Sequence, residues 1–195
     1  MRTLEMKTNR NKENSKAFTL VELLVVIGII GILAGLISTA VVSAKKKALV
    51  ASAQVEIKNL VGAISKYESE YNRYPCPTNA AEDATIGLNG QNAAIIDILR
   101  DIDSSNNPNH ARNPRRVNFI DAKLATSTNM PGIGPDGTWR DPWGRAYIIT
   151  IDYNYDNVAK DAIYGDIQTP VVVWSLGPNP DAKEDDIKSW TSSKR

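Results

Sequence analysis

Residues 23–44 contain no charged side chain. As an α-helix rising 1.5 Å per residue, such a run extends roughly 33 Å, enough to cross a hydrocarbon core of about 30 Å. No other feature constrains the fold as much. An ordinary secretory signal has a shorter apolar region followed by a small-x-small cut site; this run is too long for that, so it predicts a retained transmembrane helix. Arg2, Lys7, Arg10, Lys12 and Lys16 precede it against only Glu5 and Glu13. That excess of basic residues predicts a cytoplasmic N-terminus, with everything after the span outside. At the far end Lys45, Lys46 and Lys47 are placed to meet lipid headgroups.

Glu22 stands at the edge of this apolar helix. A carboxylate in a span costs several kcal/mol without a partner, which makes it a functional candidate. One reading has it reach back to interfacial water; the other gives it a role in assembly. Its surroundings bear on the choice. The run Ala17-Phe18-Thr19-Leu20-Val21-Glu22, between a basic leader and an uncharged helix, resembles the cleavage region of type IV pilin-like precursors. The resemblance implies that a prepilin peptidase cuts between Ala17 and Phe18, on the cytoplasmic side, and N-methylates Phe18. The family usually has Gly before the cut, and Ala17 departs from that. Cutting there creates an amine at Phe18, the charge opposite to Glu22. Between stacked subunits, Glu22 of one and Phe18 of the next could pair in a low-dielectric bundle and set axial register. Gly28, Gly31 and Gly35 are either ordinary membrane glycines or points of close helix approach in a filament core.

The helical pattern continues beyond the span. Leu49, Ala53, Ile57, Leu60, Ile64, Tyr67 and Tyr71 form one apolar stripe at three- and four-residue spacing, with Lys58, Lys66, Glu68 and Glu70 on the other side. Pro75 disfavours helix at Tyr74, so the expected helix runs from Phe18 to about Tyr74. The expected division is a cleaved leader (1–17), a transmembrane half of the helix (18–44), an amphipathic half (45–75) and a head (76–195). Within the head, residues 76–135 are rich in Asn, Pro, Gly and Ala and carry little pattern. A short helix is expected over residues 92–100 and a loop over 104–114. Arg115 and Arg116 are expected to be solvated, and Phe119, Ile120 and Leu124 to tuck a short element against the head.

β signals follow. Residues 146–151 and 171–175 are β-branched and aromatic runs bounded by turn residues, and a weaker third strand is expected near residues 162–164. Asp141-Pro142-Trp143-Gly144 reads as a tight turn with Trp143 as a core plug. The fold class is therefore α+β, a long helix packed on a small antiparallel sheet.

Trp139-Arg140-Asp141-Pro142-Trp143-Gly144-Arg145-Ala146-Tyr147, then Ser175-Leu176-Gly177-Pro178-Asn179 and Asp185-Asp186-Ile187-Lys188-Ser189-Trp190, resemble the C-terminal half (139–190) of the major pseudopilins of type II secretion systems. That resemblance implies a periplasmic pseudopilus, a helical homo-oligomer grown on an inner-membrane assembly platform with minor pseudopilins, that helps drive protein export. It also implies a calcium ion in the loop before the final Trp. The oxygens on offer are the Leu176 carbonyl, the Asn179 amide and the carboxylates of Asp181, Glu184, Asp185 and Asp186, for an ion that takes six to eight. Asn179 stands where the family usually has Asp, and Lys183 and Lys188 sit in the same stretch. The alternative is an acidic, solvated tail.

Three readings of function remain: a secretion pseudopilin, a subunit of a surface type IV pilus or related filament, and a signal-anchored monomeric domain. Surface pilins usually carry a C-terminal disulfide, and the single Cys76 cannot form one internally. A lone His110 and the lack of any nucleophile–base pattern speak against an enzyme. The net charge is +1, with its excess in the leader and no basic stripe elsewhere, which gives no nucleic-acid face.

Overall fold

The computed structural model describes residues 18–191 except 77 and 79; the expected leader, with Ala17, lies outside the described residues. Two compact units divide the chain, Met1–Ala44 and Lys45–Arg195. The elements in chain order are α1 (Leu20–Tyr71), β1 (Ala84–Ile86), α2 (Ala93–Leu99), β2 (Gly132–Ile133), β3 (Trp139–Arg140), β4 (Ile148–Ile151), β5 (Ala159–Asp161), β6 (Gly165–Ile167), β7 (Val171–Ser175) and β8 (Ile187–Lys188). The α+β architecture, a long apolar N-terminal helix followed by a small antiparallel sheet, is as the sequence predicts.

Helix α1 is 52 residues long. It starts two residues later than expected because Thr19 is its cap. It ends before the expected boundary at Tyr74, since Asn72 takes a left-handed conformation, φ 50°, that few residues other than Gly and Asn accept at a helix end. In the first unit the described side chains are exposed throughout. Their Val and Ile content disfavours helix in water, but in lipid a helix is one of the few ways to satisfy every backbone polar group. By length and composition this is a helix able to cross a membrane.

In the second unit the predicted stripe forms the core. Ala53, Ile57, Leu60, Ile64 and Tyr67 are buried, joined by Ala63, while Leu49 and Tyr71 at its ends are half-buried. They pack with Ile95, Ile96, Ile98 and Leu99 of α2 and with Ile149, Ile151, Val171 and Val173 of the sheet. The sheet is antiparallel in the order β1-β4-β7-β8, with Ile149 opposite Val173 and Ile148 opposite Trp174. Alternate residues point to opposite faces. Ile148, Val172 and Trp174 therefore lie on the second face, where Ala159 and Ile167 of the β5–β6 hairpin cover them. This double cover is why the strands read as continuous apolar runs.

Three expectations need correction. Residues 162–164 are not a strand but the turn between β5 and β6, held by Asp161, whose Oδ1 accepts the N–H groups of Ile163 and Tyr164 at 2.9 Å. Trp143 is half-buried at the core's edge; the buried tryptophans are Trp139 and Trp174. Of the element at Phe119, Ile120 and Leu124, Ile120 is buried and Phe119 is half-buried against the same core, as expected, whereas Leu124 is exposed. The residues 92–100 helix is present as α2. The loop that follows is tied down by Asn113, fully buried, whose Nδ2 donates to the carbonyls of Ile98 (3.0 Å) and Val117 (2.7 Å) and whose Oδ1 accepts from Tyr71 OH (2.6 Å). Arg116 is exposed, and Arg115 is exposed but paired with Glu70.

Candidate functional site

The N-terminal candidate is built on one local device. Thr19 Oγ1 donates to Glu22 Oε2 at 2.8 Å, and the Thr19 N–H donates to the same oxygen at 2.9 Å. The Glu22 N–H in turn donates to Thr19 Oγ1 at 3.2 Å. This is a capping box, in which Ser or Thr before the first turn and an acid at its third residue satisfy each other's free groups. The carboxylate also sits at the positive end of the helix dipole. Glu22 is therefore not bare in the single subunit, as its isolation in the sequence implied: Thr19 partners it. Thr19 draws no attention as a lone residue type, although Thr-x-x-Glu ahead of an apolar run is the pattern of such a box. Phe18, the expected cleavage and methylation position, is exposed. No atom lies within 4 Å of where a Cβ would project from Gly28, Gly31 or Gly35.

In the second unit a helix carboxylate organises the head. Glu56 Oε2 accepts from Tyr147 OH at 2.9 Å and from Trp139 Nε1 at 3.2 Å. Burial, and next the Glu56 charge, push the Tyr147 phenol up, so it remains a donor. Asn92, fully buried, serves the same corner: its Nδ2 donates to the Trp139 and Tyr147 carbonyls and its Oδ1 accepts the Trp139 N–H.

The loop of residues 176–186 follows β7. Asp141, fully buried, accepts the N–H groups of Trp143 and Arg145 on Oδ1 and Ser175 Oγ on Oδ2. Burial pushes its carboxyl above the ordinary range, with these hydrogen bonds opposing. Ser175 Oγ accepts the Gly177 N–H at 3.0 Å, and Arg145 Nη2 donates to the Gly177 carbonyl. At the loop's other end Tyr164 OH donates to Asp186 Oδ2. Burial raises that phenol, and its bond to Asp186 raises it further.

The calcium candidates do not gather. Asn179 and Asp181 are exposed, and Asn179 Oδ1 accepts the Asp181 N–H at 3.2 Å. Asp185 is half-buried. Asp186 Oδ1 is buried without a hydrogen-bond partner, one oxygen where calcium takes six to eight. Among the described residues no three His, Cys, Asp or Glu side chains are grouped to hold a metal. As arranged here, the donor set does not fit calcium.

Comparison with known proteins bears on the N-terminus first. The family described as the prokaryotic N-terminal methylation motif matches residues 12–38. The chain thus carries that motif at its N-terminus. Its similarity extends well beyond the motif: type II secretion system core protein G of Escherichia coli (strain K12) is 25% identical over 187 residues, covering 95% of this chain and 98% of that protein. No solved structure matches. The matched stretch, residues 12–38, includes Phe18, Thr19 and Glu22, so the capping box lies within the methylation motif.

Proposed function

We propose that this chain is a structural subunit, not an enzyme, of a periplasmic pseudopilus that supports protein export by a type II secretion system. The observation that carries the reading is the methylation motif heading a span-length helix, in a chain similar to core protein G along nearly its whole length. The helix lies in the inner membrane with its N-terminus cytoplasmic and its head periplasmic. A prepilin peptidase removes residues 1–17 and methylates the new amine at Phe18. Subunits then leave the membrane at an assembly platform, with minor pseudopilins, and pack their apolar helices against one another. Leaving lipid for a bundle of like helices changes little in apolar solvation, so register must come from polar contacts. Glu22 supplies one by exchanging part of its bond to Thr19 for the Phe18 amine of a neighbour.

The test is deletion of the gene, with secretion of exported proteins and surface filaments both scored. Loss of secretion, restored by the wild-type gene, is the expected result. Intact secretion with loss of surface filaments would overturn the reading in favour of a surface pilus.

A further inference from the structure

The disagreement between the residues 176–186 loop and a calcium site has a structural counterpart. A metal ion in such a loop would draw backbone carbonyls and carboxylates together. Here a side-chain cation already holds one backbone carbonyl at one end. The guanidinium of Arg145 donates to the Gly177 carbonyl, while the Gly177 N–H is held by Ser175 Oγ. Both polar groups of one peptide position are thus gripped. The grip is anchored, because Asp141 fixes Ser175 through Oδ2 and the Arg145 backbone through Oδ1 at 2.9 Å. At the other end Tyr164 takes Asp186. Its ring lies edge-on to Trp174 and Trp190 and carries Lys188 Nζ at 4.0 Å from its centre, a cation–π contact. Two cations supplied by the chain itself thus flank the loop, Arg145 on the Gly177 carbonyl and Lys188 over the Tyr164 ring.

We propose that Arg145 closes this loop in the role the resembled family gives to calcium, making the head's fold independent of the metal. A guanidinium suits that role because it is always charged, and its planar fork binds oxygen acceptors without needing six of them. The inference concerns the loop alone and stands apart from the pseudopilus reading, since its test needs no filament.

The experiment uses the full chain in detergent micelles, melted in millimolar calcium and in EGTA with tryptophan fluorescence as the signal. The expected result is a melting temperature that differs by no more than about 1 °C, because a ligand stabilises a fold only where it binds it. A saturable rise of several degrees in calcium would overturn the proposal. The second measurement is local: the rate at which trypsin cuts after the exposed Lys183. Arg145→Gln should speed that cut about tenfold over wild type. An unchanged rate in a folded Arg145→Gln protein would also overturn it, and the wild-type calcium comparison decides the matter if that variant does not fold.

Discussion

Thr19 and Glu22 cap each other across the first turn of α1, each supplying the acceptor the other's N–H requires. The carboxylate is thereby satisfied within one subunit, which lowers the cost of holding it at the membrane. Two bonds to a threonine do not neutralise its charge, however, and an ammonium group does so far better in a low-dielectric bundle. Glu22→Ala should accordingly leave leader removal at wild-type extent while cutting filament yield at least tenfold, a loss of about 1.4 kcal/mol per joining subunit. Sheared-filament yield, normalised to processed subunit, measures this. Wild-type yield would rule out the pairing.

Ala17, outside the described residues, carries a simpler expectation. A peptidase that cuts beside a small residue should reject a branched one, so Ala17→Leu should accumulate as uncut precursor. N-terminal mass spectrometry of the purified protein checks it. A mature chain beginning at Phe18 would show that the bond is cut regardless of the residue before it.

Glu56 ties the helix to the head through Trp139 Nε1 and Tyr147 OH. Truncating it orphans two donors at the core's edge, and each lost partner costs about 1–3 kcal/mol. Glu56→Ala should lower the melting temperature by several degrees, and Glu56→Gln, which keeps one carbonyl acceptor, by less. Thermal melts in detergent distinguish the two. Equal losses would mean that the negative charge, not the acceptor geometry, is what matters.

The contrast between Glu56 and the stripe it interrupts shows what a sequence can carry. The period of Ala53, Ile57, Leu60 and Ile64 announces a buried helix face, and Val171-Val172-Val173-Trp174 announces a strand, because hydrophobic burial imposes a period on the chain. β1, β2, β3, β5, β6 and β8 are two or three residues long, too short for even a two-residue period to repeat, and their state is set by the partners they meet. Asn92, Asn113, Asp141 and Asp161 are buried, yet their residue types read as surface turns; only the folded chain shows the backbone groups they serve. At the N-terminus the motif was legible down to Glu22, while its bond to Thr19 needed the geometry of the first turn. In the 176–186 loop the acids were legible, and the Arg145 contact, 32 residues away in sequence, was not.

Acid sensitivity should come in part from Asp136. Its hydrogen bonds to Arg140, at 2.6 and 2.9 Å, hold its carboxyl at about 2, below the ordinary 3.8. A depressed folded pKa gives stability that is present above the unfolded value and lost as pH falls. The loss attributable to this group therefore runs from near pH 4 down through about 2. Asp141, raised by burial, contributes with the opposite sign, so the two must be separated by mutation. Asp136→Asn should flatten the acid limb of a stability–pH curve measured by urea denaturation, and an unchanged limb would remove the pair from the explanation.

Gly177 sets the tightest geometric demand in the head. Its φ is +61°, and a Cβ there would collide with the Asp185 carbonyl oxygen. Left-handed backbone alone costs a side-chain-bearing residue about 1–2 kcal/mol; the collision adds to that, because backbone on both sides must move. Gly90 isolates the first term, having φ +82° and no atom within 4 Å of where a Cβ would project. Gly90→Ala should lower the melting temperature by only about 2–8 °C, whereas Gly177→Ala should cost clearly more and speed the tryptic cut after Lys183. If the two variants melt together, the 176–186 loop yields without resistance, and the close packing of Gly177 on Asp185 contributes nothing to holding it.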